Sequence, residues 1–179
     1  GQGDAPFWEN DPQYDTPEKR GSLISSIMQE QYDMVRKYIV NPVFSTNLYG
    51  ETMELYQQGY LKLPENVIMI WADNGYGKMV SRRQGNHNPR VPALPCEGLR
   101  DRKHGLYYHV SFYDLQAANV LTMLPNNMKF VKKELENAYN CGIQTLWIVN
   151  CSNIKPHVYP LDFVAAIWNS LETEHEVHL

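Results

Sequence analysis

The sequence has no excess of basic residues and few cysteines, and each absence argues against a class of protein. Its 179 residues include 16 Lys and Arg against 20 Asp and Glu, a net charge of −4, whereas nucleic-acid-binding domains normally show a strong basic excess. The three cysteines, Cys96, Cys141 and Cys151, form no C-x-x-C pair. This spacing argues against a zinc site or a disulfide framework and favours reduced thiols. We therefore expect no nucleic-acid partner, no metal site and no cofactor.

Long apolar runs are also missing. No segment approaches the roughly 18 consecutive apolar residues that a membrane-spanning helix needs, so we expect no membrane partner. The start of the chain shows no basic segment followed by an apolar one, so no signal peptide is visible. The compartment (cytoplasm, periplasm or outside the cell) stays open. What is present is a composition of 43% hydrophobic and 12% aromatic residues, which indicates a globular domain with a sizeable core.

The order of helical and extended patterns divides the chain into three parts. An irregular segment is predicted over 1–15, a single α/β domain over 16–174 and a frayed tail over 175–179. Thr16 and Pro17 form a helix-start signal. Helical spacing and stop signals predict helices from Pro17 to Val40 and over 48–58, 127–140 and 161–171. Continuous apolar runs predict strands over 67–73, 105–113 and 145–153.

The three predicted strands indicate the fold class. Strands that are apolar on both faces are typical of parallel sheets covered on both sides, and their spacing along the chain matches β/α units with generous loops. A complete (β/α)8 barrel needs about 250 residues, and three parallel strands alone leave two open edges. The sequence therefore predicts an α/β fold: a partial (β/α)8 TIM-barrel-like segment with parallel strands and flanking helices. The rest of a longer chain, or a second copy, would close the barrel.

Polar and aromatic residues cluster where each predicted strand ends. In parallel α/β folds, ligands contact the loops at the carboxyl ends of the strands. Polar groups with flat aromatic faces suit a polyhydroxylated ligand such as a sugar. Asp73 is the candidate catalytic carboxylate. The candidate substrate-binding residues at these ends are Trp71, Asn74, Tyr76, His109, Ser111, Tyr113, Asn150, Asn153 and Lys155.

Two other kinds of site fit the sequence less well. The glycine-rich stretch "IWADNGYGKM" suggests a phosphate-binding loop, but Ala72 and Met79 occupy positions where that motif needs Gly and Ser or Thr. Its glycines are better explained by a sharp turn. A serine hydrolase is disfavoured because G-x-S-x-G is absent. For His109, a core histidine satisfied by a neighbouring backbone group remains an open alternative.

The loop over 78–104 is locally basic. It carries seven Lys and Arg residues against two acidic ones, which suits a carboxylate or phosphate on a ligand. Arg82 and Arg83 lie nearest the strand end and are the candidates for that contact. A solvated loop with no ligand is the alternative.

Three segments taken in order resemble glycoside hydrolase family 115, a family of xylan α-1,2-glucuronidases. They are "NVIMIWADNGYGKM", "GLYYHVSFYD" and "LWIVNCSNIKPHVYPLDF", and the upstream "YGETMELYQQG" adds to the likeness, which covers residues 44–170. The resemblance implies a bacterial-type enzyme with a central barrel. It also implies inverting cleavage of α-1,2-linked glucuronic acid or its 4-O-methyl ether from glucuronoxylan or aldouronic acids. Inverting glycosidases use one carboxyl group as acid and another as base.

Residues that match the family pattern receive their roles from it. Asp73 matches an acid of the first motif, which makes it an acid/base or its close support. Tyr76, His109, Asn150 and Asn153 would contact the sugar, and Arg82 or Arg83 would pair with the uronate carboxylate. Two amides, Asn74 and Asn153, stand where the pattern has carboxylates, and amides transfer no protons at neutral pH. The alternative hypothesis is therefore a non-catalytic carbohydrate-binding or inactive barrel.

Overall fold

The computed structural model describes residues 11–81, 91–95, 97–99, 101–112, 124 and 126–176, with residues 172–176 given by their backbone alone. In this part of the chain four α-helices and three short 3-10 helices accompany four strands. The strands are β1 (Phe44–Leu48), β2 (Val67–Ala72), β3 (His104–His109) and β4 (Leu146–Asn150). The helices are α1 (Pro17–Arg36), α2 (Glu51–Gln57), α3 (Met128–Asn140) and α4 (Val158–Glu176).

The four strands form one parallel sheet in the order β1-β2-β3-β4. A sheet whose spatial order follows the chain order is typical of the barrel class, because doubly wound sheets reverse direction part-way. The predicted α/β fold with parallel strands and flanking helices is confirmed. β1 and β4 are the two edges of this sheet.

The prediction missed β1, because it placed a helix from Leu48 onwards. The sequence of β1, FSTNL, is polar at alternate positions, and Ser45 and Asn47 are exposed while Leu48 is buried. An edge strand with one exposed face needs no continuous apolar run, so the run-based criterion overlooked it. Pairing with β2 from Phe44 to Leu48 is what defines the strand.

Several element ends differ from the predicted ones. α1 ends at Arg36. The helical spacing of apolar residues continues beyond it, but the side chains there, such as that of Tyr38 at 85% exposure, do not pack on the core and so do not extend the helix. α4 begins at Val158, before the predicted start at Leu161, and ends at Glu176, after the predicted end at Leu171. β3 and β4 stop at His109 and Asn150, so the polar residues that follow them belong to loops.

The predicted helix over 127–140 is confirmed in detail. The Asn127 side chain accepts a hydrogen bond from the Lys129 N–H, which caps α3 and satisfies one of the donors that a helix start leaves unpaired. Gly142 follows the helix with a φ of +100°, the left-handed conformation that ends many helices and that glycine adopts without strain.

The helices pack on one face of the sheet. Met69, Trp71, Leu106 and Tyr108 alternate along β2 and β3 and join one core cluster with buried residues of α2, α3 and α4, which are Met53, Leu55, Val131, Leu135, Ala138, Val164 and Ile167. The alternate strand positions point to the other face. There Ser45, Asn47 and Ile148 are exposed. Tyr107 and His109 belong to that second face, which would line the inside of a barrel.

Candidate active site

The register of the sheet brings the ends of β2, β3 and β4 together. Ala72 pairs with Tyr107, and His109 pairs with Asn150. Asp73 extends β2 by one more bond, because its N–H donates to the Tyr107 carbonyl at 3.2 Å. Residues far apart in sequence therefore meet at one edge, as the carboxyl ends of parallel strands must.

The segment after β2 is a tight turn organised by two side chains. Asp73 accepts hydrogen bonds from the N–H groups of Gly75 (3.1 Å) and Gly77 (2.7 Å). Asn74 accepts one from the Tyr76 N–H at 2.9 Å. Gly75 and Gly77 have φ values of +87° and +81°, a region that residues with a Cβ rarely adopt. The glycines thus serve a turn, as the sequence predicted.

Side chains from outside the turn hold it in place. Tyr108 donates its hydroxyl hydrogen to the Gly77 carbonyl at 2.9 Å, and Asn126 donates to the Tyr76 carbonyl at 2.8 Å. Burial raises the pKa of Tyr108 well above its ordinary range, and the nearby carboxylates of Asp73 and Glu134 raise it further. The hydroxyl therefore stays protonated and remains a donor to the turn.

Asp73 and His109 form a buried pair. The His109 Nδ1 atom is hydrogen-bonded to Asp73 Oδ1. The backbone N–H of His109 donates to Asp73 Oδ2 at 3.3 Å. Their side chains are 0% and 1% exposed. The open question about His109 is thus resolved in favour of a carboxylate partner instead of a backbone group. Because Asp73 engages Nδ1, Nε2 is the ring nitrogen left for a ligand.

Aromatic rings surround the imidazole. The ring centroids of Tyr107 and Phe112 each lie 4.8 Å from that of His109, both in edge-on geometry. Tyr49, directly after β1, lies 6.4 Å away by the same measure, and Phe112 also contacts the Tyr76 ring at 5.8 Å. These contacts fix the imidazole and give the edge flat apolar faces of the kind that sugar rings favour.

The end of β4 supplies a second polar group. The Asn150 Nδ2 atom donates to the Tyr107 hydroxyl at 2.9 Å, and its Oδ1 accepts from the Ser152 N–H at 3.3 Å. Ser111 donates to the Ser152 hydroxyl at 3.1 Å. Ser152 has a φ of +51°, an uncommon conformation for a residue other than glycine. The predicted residues His109, Ser111 and Asn150 are thus brought together.

The comparisons with known proteins agree with this architecture. The model of glycosyl hydrolase family 115 matches residues 1–178. The chain belongs to glycoside hydrolase family 115. A solved family 115 enzyme, the 4-O-methyl-α-glucuronidase BtGH115A, which has specificity for decorated arabinogalactans, aligns with a TM-score of 0.67 and 26% identity. The alignment covers 83% of this chain and 19% of that enzyme, so the chain spans about a fifth of its length.

A curated protein also matches at the sequence level. Inositol oxygenase 5 of Arabidopsis thaliana is 28% identical over 138 residues, which cover 74% of this chain and 39% of that protein. In the part of this chain that the structure describes, no group of three or more His, Cys, Asp or Glu side chains is placed to hold a metal ion. No helix among the described residues is long and apolar enough to cross a membrane.

Several predicted residues of this family 115 chain lie apart from the cluster. Trp71 is buried in the helix-side core, where its Nε1 donates to His104 Nδ1 at 3.0 Å. Asn153 is exposed in the bend after β4, and Lys155 is exposed at the first position of the short 3-10 helix that follows. The predicted residues Arg82, Arg83 and Tyr113 lie outside the described residues. Arg102, another residue of the basic loop, donates to the Pro64 carbonyl at 2.9 Å, so its guanidinium contacts the protein itself.

The structure also adds residues that sequence reasoning did not assign to the site. Phe112 contacts the Tyr76 ring, and Asn126 donates to the Tyr76 carbonyl. No local sequence pattern indicates contacts between residues so far apart in the chain. Tyr49 and Glu51 follow β1, and they were missed because β1 itself was missed. Glu51 is exposed at the first position of α2, so an accessible carboxylate follows the carboxyl end of β1. A correct assignment of β1 would have predicted it.

Proposed function

We propose that this chain forms part of the catalytic barrel of an α-glucuronidase. The enzyme would remove α-1,2-linked glucuronic acid, or its 4-O-methyl ether, from a uronic-acid-bearing glycan with inversion at the anomeric carbon. The observation that carries the proposal is the cluster of Asp73, His109, Tyr107 and Asn150 at the carboxyl edge of a parallel sheet. Membership of family 115 and the likeness to a 4-O-methyl-α-glucuronidase support it.

Asp73 would act by holding His109 and not by transferring a proton to the substrate. Its two oxygens face four donors. Three are the backbone N–H groups of Gly75, Gly77 and His109, and the fourth is the Nδ1 group of the His109 ring. A group in hydrogen-bond contact with its substrate needs a free donor or acceptor. The four donors occupy both Asp73 oxygens, whereas His109 uses only Nδ1 of its ring for Asp73 and keeps Nε2. We therefore assign Asp73 the supporting role and His109 the sugar contact.

Glu51 is the carboxylate that we propose for the reaction itself. It is exposed, it begins α2 directly after β1, and neighbouring Tyr49 contacts the His109 ring. Inverting glycosidases need one carboxyl group on each side of the scissile bond. Glu51 would supply one of them, and a carboxylate from another barrel strand would supply the second.

The uronate carboxylate needs a cation. Lys155 is exposed after β4, and we propose it as a contact together with Arg82 or Arg83. Asn153 and Tyr76 would bind hydroxyl groups beside it. The glycan backbone is a separate question, because the family resemblance suggests xylan whereas the similar solved enzyme has specificity for decorated arabinogalactans.

The test uses the complete gene product with two oligosaccharide classes, aldouronic acids from xylan and glucuronic-acid-capped arabinogalactan fragments. Release of uronic acid is measured by chromatography and the anomer first formed by proton NMR. We expect release from at least one class with the β-anomer appearing first. Absence of release from both classes would overturn the proposed hydrolysis, and initial α-anomer would overturn inversion.

We also expect no turnover by the 179-residue chain alone. Among the residues that the structure describes, the sheet has four strands and ends at β1 and β4, so half the loops of a barrel site would be missing. The rest of a longer chain or a second copy would supply them. Turnover by the isolated chain would contradict this expectation.

A non-catalytic carbohydrate-binding barrel is the second candidate. It is favoured by Asp73, whose oxygens are engaged by protein donors, and by the amides Asn74 and Asn153 at the predicted acid positions. Calorimetry and the release assay together separate the two functions. Binding of glucuronic acid in calorimetry, without release of it from either oligosaccharide class, would support the binding protein.

A further inference from the structure

The direction of the hydrogen bond between Asn150 and Tyr107 is fixed by a backbone group. The Ser152 N–H is an obligatory donor, and it lies 3.3 Å from the Asn150 side-chain oxygen. Turning the Asn150 amide over would bring its NH2 group against this N–H, two donors facing each other. The NH2 group must therefore face Tyr107, whose hydroxyl lies 2.9 Å away.

It follows that the Tyr107 hydroxyl accepts from Asn150 and must donate its own hydrogen elsewhere. No acceptor for that hydrogen is found among the residues that the structure describes. Tyr107 is half-buried on the face of the sheet opposite the helices, and its ring lies edge-on to His109. The hydroxyl hydrogen is therefore available to a ligand on that face.

His109 provides the complementary group beside it. In the tautomer whose Nδ1–H donates to Asp73, the lone pair of the imidazole is on Nε2, and acceptance of a ligand hydrogen by the ring requires this tautomer. The donor, the Tyr107 hydroxyl, and the acceptor, the His109 imidazole, therefore belong to two rings whose centroids lie 4.8 Å apart. A group that accepts one hydrogen bond and donates another satisfies both.

We propose that Tyr107 and His109 together bind one hydroxyl group of the sugar, with Tyr107 as the donor and Asn150 as the residue that sets its direction. This inference rests on the proposed function and adds to it a residue that determines specificity. A carboxylate fits the pair poorly, because its oxygens accept only and would face the Nε2 lone pair. The uronate group would therefore be bound elsewhere, at cationic side chains.

Two substitutions test the direction of the bond. Tyr107→Phe keeps the ring against His109 and removes the donor. Asn150→Asp keeps the shape, but its second oxygen would accept the hydrogen of Tyr107 and so turn that donor away from the ligand. Tyr32→Phe is the matched control, because Tyr32 packs on Phe44 at the start of β1, at the other end of the sheet.

The experiment is calorimetric titration of the complete protein with glucuronic acid and with its neutral amide, glucuronamide. The neutral probe removes any charge repulsion from the introduced Asp. We expect Tyr107→Phe and Asn150→Asp each to weaken glucuronamide binding by about five- to tenfold, the effect of one hydrogen bond. The double variant should bind no more weakly than either single variant, and Tyr32→Phe should bind like the wild type.

The outcomes separate this inference from the proposed function. Wild-type protein that binds neither probe would overturn the proposed function and the inference with it. Wild-type binding that is unchanged in Tyr107→Phe would overturn the inference alone. Effects of the two substitutions that multiply in the double variant would also overturn it, because Asn150 would then not act through Tyr107. A loss in Tyr107→Phe confined to glucuronic acid would show that Tyr107 binds the carboxylate and would likewise refute it.

Discussion

Asp73 and His109 lie at the ends of neighbouring strands and are hydrogen-bonded through Oδ1 and Nδ1, with both side chains closed to solvent. The same carboxylate accepts the N–H groups of Gly75 and Gly77. One side chain therefore fixes both the turn after β2 and the imidazole on β3. The position of the proposed sugar contact thus depends on the integrity of this turn.

Asp73→Asn is expected to destabilise the fold and to abolish sugar binding. An amide has one acceptor oxygen, so some of the buried donors around position 73 would lose their partner. Breaking a buried charged contact in this way costs about 3 kcal/mol in the free energy of unfolding, which urea denaturation measures. Asp15→Asn is the control, because Asp15 forms an exposed ion pair with Lys19 and should leave stability unchanged. Equal stability of both variants would contradict the role of Asp73.

Gly77→Ala and Gly59→Ala form a matched pair. Both glycines have a φ of +81°, so alanine costs about 1 kcal/mol at either position from backbone strain alone. A Cβ on Gly59 meets nothing within 4 Å, whereas one on Gly77 would lie 2.6 Å from Asn126 Nδ2 and 2.8 Å from the Tyr108 hydroxyl. We expect Gly77→Ala to lose about 2 kcal/mol more than Gly59→Ala in chemical denaturation. A difference near zero would mean that the turn adjusts freely.

Stability should fall as the pH is lowered below about 6.5. Burial, aided by the charge of Arg102, lowers the pKa of His104 from its ordinary value of 6.5, although a hydrogen bond to the Leu99 carbonyl raises it in part. Below pH 6.5 the unfolded chain binds a proton that the folded chain does not, so the stabilisation present at neutral pH is lost as the pH falls toward the lowered pKa.

The substitution His104→Gln checks this assignment. Thermal melts between pH 7.5 and 5, a range that spans the ordinary value of 6.5, should show a smaller loss of stability in the variant than in the wild type. The variant should be less stable at every pH, because the acceptor for the Trp71 N–H is altered. An unchanged pH dependence would assign the effect to other groups.

Glu51→Gln is expected to lower kcat by about 10²- to 10⁴-fold, the usual effect of removing a general acid or base. Stability should be unaffected because the side chain is exposed. Glu65→Gln is the control, since this exposed residue precedes β2 and so lies at the amino ends of the strands, away from the site. Kinetics of the complete protein on its best oligosaccharide measure both. Wild-type kcat in Glu51→Gln would exclude Glu51 from the reaction.

Much of the fold follows from local patterns in the sequence. The apolar run of β2 is buried along its whole length, so its pattern reflects its environment directly. The start of α3 after its cap Asn127 and its end before Gly142 are decided by hydrogen bonds and backbone geometry within a few residues. The turn glycines after Asp73 belong to the same class. These features were predicted because the forces that form them act between near neighbours.

Tertiary structure decided the features that depend on distant partners. β1 is a strand because β2 pairs with it, and its polar sequence alone indicated otherwise. Trp71 was predicted at the sugar site, yet the alternation of β2 directs it into the helix-side core. His109 is bound to Asp73, 36 positions earlier, and Tyr107 to Asn150, 43 positions later. Hydrogen-bond partners at such separations are chosen by strand register, which a single sequence does not encode locally. The sequence therefore determined which groups are available at the sheet edge, and register determined which of them meet.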